Sequence, residues 1–190
     1  MDEEQSAERA YRAVMEPEGL TCYGLKIGES DLYICTAGDT VEAARESLER
    51  HRAELEGYLI THSSFGTSFK PVPAATGAPG IVAGMAAAGE AFGVGPMASV
   101  AGAIAQWVGT DLLSVSSEVI VENGGDIFLA GGGRRRIRIF AGADSRDVDI
   151  IVEDSADGTG VCTSSATVGP SVSFGAADAV TVIAATATIA

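Results

Sequence analysis

Hydrophobic and polar positions run along the chain with two periods, and the switches between them outline the elements. Leu20 to Ile27 and Asp31 to Thr36 alternate around Gly28-Glu29-Ser30, which predicts a hairpin. The period then becomes helical. Val41, Ala44, Leu48, His51, Leu55 and Tyr58 recur at three- and four-residue steps, Asp39 or Thr40 is placed to cap the first N–H groups with Glu42 nearby, and Gly57 reads as the stop. After a proline-bearing loop, Lys70 to Pro79, two Ala-rich helices are expected at Gly80 to Phe92 and Pro96 to Leu113, parted by Gly93-Val94-Gly95. Proline suits the first turn of a helix, where its missing N–H costs nothing.

The remainder is strand-like. Glu118 to Glu122, Asp126 to Ala130, Arg135 to Phe140, Val148 to Val152, Val161 to Ser164 and Ala179 to Ala185 are separated by glycine and aspartate turns, the pattern of an antiparallel meander. Alternation puts Arg134, Arg136 and Arg138 on one face, with Ile137 and Ile139 on the other, and Asp147 and Asp149 repeat the pattern in the next strand. Cross-strand ion pairs on a solvated face explain these charges better than an anion site built from the arginines. The expected fold class is α+β, a mainly antiparallel sheet with helices packed on one face. Strands alternating with helices throughout, as a doubly wound fold requires, are absent.

Composition narrows the function. The 190 residues suit a single domain over 1–190, or two closely packed halves, and 46% hydrophobic residues supply a core. A net charge of −14 repels phosphate backbones, so nucleic acid is not the expected partner. Ala91 to Gly109 carries no charge, yet Pro96 and several glycines interrupt it and no Lys/Arg cluster flanks it, so no membrane span is expected. Acidic Asp2, Glu3 and Glu4 stand where a signal peptide places positive charge, so a cytoplasmic protein is expected. Of the three cysteines, Cys22 and Cys35 would face each other if Gly28-Glu29 were a two-residue turn, although reduced, buried cysteines are the expectation for a cytoplasmic chain. His51 lies on an apolar stripe and reads as an edge-of-core imidazole, while His62 sits in a polar turn.

The 24 glycines ask for a reason. Gly84, Gly89 and Gly102 fall inside predicted helices, where each costs about 1 kcal/mol relative to alanine, and so imply close packing or close approach to a ligand. There is no Walker loop, HExxH, paired CxxC or GxSxG elbow. Two segments carry candidate chemistry. In Val119 to Ile127 a strand runs into Glu122-Asn123-Gly124-Gly125-Asp126 and back into a strand; this is an ordinary hairpin turn, or a place where paired glycines admit a ligand beside Asn123 and Asp126. In Gly160 to Gly169 the hydroxyls of Thr163, Ser164 and Ser165 cluster at a strand end, a polar turn that could also hold phosphate or ribose oxygens.

These residues carry a resemblance. The run Gly93 to Ala105, the block Val119 to Ile127, and Gly160 to Gly169 followed by Ser173 to Ile183 look like a small uncharacterised prokaryotic family related to the ApbE-like FAD:protein FMN transferases. The likeness to the small family runs from Glu8-Arg9-Ala10-Tyr11 onward; that to the transferases is distant. It implies tandem T-fold-like halves with FAD held between them and Mg²⁺ near its pyrophosphate, in enzymes that move FMN onto a threonine or serine hydroxyl of a target protein. Gly124, Gly125 and Asp126 would then border the flavin nucleotide, with Asn123 a polar contact at the rim on the reading of the turn above, Thr163, Ser164 and Ser165 would line the same cleft, and Gly102 would match the glycine of the family's Lys-Gly helix.

The chain departs from the pattern in places. Ala166, Pro170 and Ala176 stand where the small family is expected to carry glycine, histidine and lysine. The superfamily's metal-binding Asp and Thr fall beyond the last strand, so the expectation is a shortened chain with an incomplete Mg²⁺ site and doubtful transferase activity. The leading expectation is a flavin- or nucleotide-binding protein. The alternative is a noncatalytic protein that keeps the fold for homo-oligomerisation or partner binding.

Overall fold

The computed structural model describes residues 12, 17–140, 147–167 and 175–190. Strands β1 (Thr21–Ile27) and β2 (Ser30–Thr36) form the expected hairpin about a two-residue turn, with Ile27 opposite Ser30 and Cys22 opposite Cys35. The two cysteines are joined in a disulfide, against the expectation of reduced thiols. Their facing side chains on neighbouring antiparallel strands, with Cα atoms 4.1 Å apart, bring the sulfurs together.

Helix α1 (Val41–Thr61) buries Ala44, Leu48, His51, Leu55 and Tyr58. Of the two residues expected to cap its start, Asp39 does so and Thr40 does not, and its expected end at Gly57 is not where it stops. Thr40 makes no side-chain cap, because its hydroxyl is bonded to the Tyr23 hydroxyl at 2.7 Å and the Thr36 hydroxyl at 2.9 Å; Asp39 accepts the Val41 N–H instead. The helix also continues through Gly57, because the next residue, Tyr58, is buried and its hydroxyl accepts the Ala75 N–H at 2.9 Å. A short helix α2 (Ser63–Thr67) follows, then α3 (Gly80–Phe92), a 3₁₀ turn at Pro96–Ser99, and α4 (Val100–Leu112). His51 joins α1 to α4 through Asp111 at 2.8 Å; Ser47 donates to the same carboxylate oxygen and Arg50 pairs with it. No single helix among the described residues is long and apolar enough to cross a membrane; α3 and the Pro96–Leu112 segment are bent 110° from one another.

The remaining strands are β3 (Val119–Asn123), β4 (Asp126–Ala130), β5 (Arg134–Ile139), β6 (Val148–Glu153), β7 (Thr159–Ser164) and β8 (Val180–Ala184). Among the described residues, six of eight strands form one antiparallel sheet in the order β1-β2-β3-β4-β7-β8. The expected meander is therefore broken: β5 and β6 pair only with each other. Their apolar underside, Ile137, Ile150 and Val152, packs on Cys35, Ile120, Leu129 and Val161, which the alternation of β2, β3, β4 and β7 turns to one face of the sheet. The outer face carries the expected ion pair, Arg138 gripping Asp149 through Nε and Nη2 at 2.7 and 3.0 Å.

The opposite sheet face receives the helices. Leu32, Ile34, Val121 and Phe128 meet Leu48, Met85, Ile104, Val108 and Leu112 in the main core. After β8 the chain turns back, and the Ile189 and Ala190 N–H groups bond to the Thr186 carbonyl. Thr188 anchors this C-terminal turn to α4, donating through its backbone N–H and its hydroxyl to Gln106 Oε1 at 3.0 and 2.7 Å.

Candidate functional site

The site begins at the turn between β3 and β4. Gly124 and Gly125 hold φ of 63° and 99°, conformations that side-chain-bearing residues rarely adopt, and they form a two-residue connection between the paired Asn123 and Asp126. Asn123 is thus the last residue of a strand. It is buried, and its amide donates to the Ala101 carbonyl at 3.1 Å, tying the turn to α4. On the other sheet face, Glu122 is buried, accepts the Gly125 N–H at 2.8 Å and pairs with Arg12 at 2.6 Å.

Asp126 faces the helices. Its neighbours are the Cys162 thiol on β7 and the backbone N–H groups of Thr163 and of Gly102, in the first turn of α4. Burial pushes its carboxyl up from the ordinary 3.8 to about 6. The thiol and the two N–H groups oppose that rise by favouring the carboxylate, and the charge of Glu122 adds to it. The Cys162 thiol is raised as well, by its own burial and then by the Asp126 charge. Its sulfur stands 3.3 Å from the Ala187 carbonyl, so its one proton serves either that oxygen or Asp126.

Beside Asp126 opens a cavity of about 400 Å³. The end of α3 (Ala88, Gly89, Phe92), the turn after it, β8 and the C-terminal turn wall it with apolar surface, and Asp126, Cys162 and Ser164 face it from β4 and β7. The sequence-derived candidates divide accordingly. Asp126 and Ser164 line the cavity, while Asn123, Gly124 and Gly125 position the turn and are not part of the lining. Thr163 points to the opposite sheet face, its hydroxyl 2.9 Å from that of its cross-strand partner Thr181. Ser165 lies past the end of β7, where its hydroxyl accepts the Thr167 N–H at 3.0 Å. The departures noted at Pro170 and the segment from Ser173 to Phe174 lie outside the described residues.

Sequence reasoning missed the walls. Phe92, Val94, Val180, Val182 and Ile189 are apolar residues from three stretches of the chain, and no local spacing marks them as one surface. Of the two reasons expected for Gly102, close packing is the one seen: a Cβ there would stand 2.1 Å from the Ala187 carbonyl oxygen, so the glycine admits the C-terminal turn. Among the described residues no three of His, Cys, Asp and Glu gather as metal ligands. Asp126 is the lone acidic side chain in the lining, so these side chains do not fit the Mg²⁺ that the resemblance implies.

The molecule is thus an α+β protein in which an apolar cavity with one acidic side chain in its wall opens beside the antiparallel sheet and its helices. The model of a bacterial family described as AbpE bacteria matches residues 12–190, and the chain belongs to that family. It is 46% identical over 151 residues to a UPF0280 protein of Methanocaldococcus jannaschii, covering 77% of this chain and 61% of the relative. A UPF0280 protein of Methanococcus aeolicus is 43% identical over 155 residues, covering 79% and 62%, and one of Methanosarcina barkeri is 39% identical over 144 residues, covering 75% and 57%. The chain spans about three fifths of the length of these relatives.

Proposed function

We propose that the protein binds a flavin or related nucleotide in the cavity beside Asp126, in an ApbE-like arrangement of tandem halves. The observation that carries this reading is the Gly124-Gly125 turn, which delivers Asp126 into the wall of an otherwise apolar cavity of about 400 Å³. A concave apolar site with a few converging polar groups is the usual form of a small-molecule site, and this volume suits the ring system of a flavin. The family name and the resemblance of the Gly-Gly-Asp and Thr-Ser-Ser segments point the same way. Transfer of FMN is not part of the proposal, because the donors beside the cavity do not fit the metal that such a reaction uses.

Titration of the purified protein with FAD, FMN and ADP, followed by flavin fluorescence and calorimetry, tests the reading. Saturable binding of at least one is expected, and no binding of any at about 50 µM overturns it. A second reading, a noncatalytic protein that keeps the fold for partner binding, draws on the exposed apolar rim of Phe92 (61%), Val180 (52%) and Val182 (43%). It predicts a stable assembly, with Asp126→Ala leaving every ligand titration unchanged.

A further inference from the structure

We propose that the cavity sorts ligands by charge: it takes the uncharged, planar ring end of a ligand, with a ring N–H donated to Asp126, and leaves any phosphate outside. The proposal rests on the ligand-binding reading above and specifies which part of the ligand enters.

The lining supplies the argument. Among the described residues that form it there is no lysine, arginine or histidine, and Asp126 is the one acidic side chain. A phosphate placed there would lose its hydration without gaining a cation and would stand near a like charge, an arrangement protein interiors avoid. The positive end of α4 already faces a negative charge, because the Gly102 N–H lies beside the Asp126 carboxyl. The chain as a whole carries −14, so its long-range field also disfavours anions.

The same surfaces suit a ring. Ala88, Gly89, Val182, Ala184 and Ala187 offer small apolar contacts to its faces. An ionised carboxylate has about four acceptor sites. The Gly102 N–H and the Cys162 thiol lie beside it and the Thr163 N–H is bonded to the Gly125 carbonyl at 3.3 Å, which leaves room for a donor from a ligand, while the Ser164 hydroxyl can meet a ring carbonyl or nitrogen. The groups beside Asp126 on the cavity face bring no positive charge: Cys162 from β7, Gly102 from α4, and Ala187 and Thr188 from the C-terminal turn; Glu122, with its partner Arg12, lies on the other sheet face.

The experiment compares ligands that share a ring and differ by one phosphate: riboflavin against FMN, and adenosine against AMP, titrated into the purified protein over a range of salt. In each pair that binds, the phosphate-free member is expected to bind at least as tightly, and added salt is expected to strengthen the phosphorylated member while leaving the other unchanged, since screening weakens repulsion. Asp126→Asn, which keeps size and removes charge, is expected to weaken the phosphate-free ring about tenfold and to narrow the gap within the pair. Should that variant fail to fold, the wild-type pairs decide alone. Tighter binding of FMN or AMP that weakens with salt would mean that a cation receives the phosphate; it overturns the inference and leaves the ligand-binding reading standing. If none of the four binds at about 1 mM, both fall together.

Discussion

The backbone of Ala187 rests against Gly102 so closely that a Cβ on the glycine would stand 2.1 Å from the Ala187 carbonyl oxygen and 2.9 Å from its carbonyl carbon. Gly160 on β7 completes the notch, where a Cβ would meet Ala187 Cα at 2.4 Å. The C-terminal turn forms one wall of the cavity, so these two glycines shape the site without touching a ligand.

Gly102→Ala and Gly160→Ala must each displace that backbone. Each is expected to destabilise the protein by about 1–3 kcal/mol, as overpacking does. Gly57→Ala provides the contrast. Its Cβ meets nothing within 4 Å on an exposed face of α1, and it is expected to stabilise by about 0.5–1 kcal/mol. Urea unfolding of the three variants checks the difference in sign.

Asp126 links stability to pH in a direction opposite to that of a salt-bridged aspartate. Its folded pKa, about 6, lies above the ordinary 3.8, so the native state holds its proton more tightly. The resulting contribution is present below about pH 4 and is lost as pH rises through about pH 6. Asp126→Asn removes this loss. The stability of the variant relative to wild type is therefore expected to grow between these values, by about 2 kcal/mol, and to level off above them. Denaturant titrations across this range measure it; a difference that stays constant with pH contradicts the burial of Asp126.

Glu122 pairs with Arg12 and accepts the Gly125 N–H from a buried position. Truncation by Glu122→Ala leaves both partners short of an acceptor, and a loss of about 3–5 kcal/mol is expected, the range for breaking a buried ion pair. Thermal or denaturant unfolding reads it.

The cysteines give a chemical check. With Cys22 and Cys35 joined and Cys162 buried, a thiol reagent is expected to find no reactive thiol in the native protein, one after unfolding and three after unfolding with reduction. Reduction is expected to lower stability by about 2–3 kcal/mol, as opening a short disulfide loop does.

The parts of the fold legible in the sequence were those that depend on near neighbours. The β1-β2 register followed from the two-residue Gly28-Glu29 turn, and the Arg138-Asp149 pair followed from alternation. Departure of β5 and β6 from the main sheet did not, because Ile137, Ile150 and Val152 alternate in the same way whether they continue a meander or lie across the sheet's other face. Gly57 was misread as a stop because its cost is local, whereas the burial of Tyr58 that offsets it is not. At the site, the Gly-Gly-Asp turn announced itself by composition. The roles of Asn123 and Thr163 required knowing which face each presents and what stands opposite, namely Ala101 and Thr181.

The central claim is that a ring-bearing ligand enters the cavity beside Asp126, and an amide-resolved NMR titration with riboflavin tests it most directly. Saturable shifts concentrated at Gly89, Gly102, Asp126, Ser164 and Val182 are the predicted result. Absence of shifts at saturating riboflavin, or shifts confined to the face of β5 and β6, would contradict it.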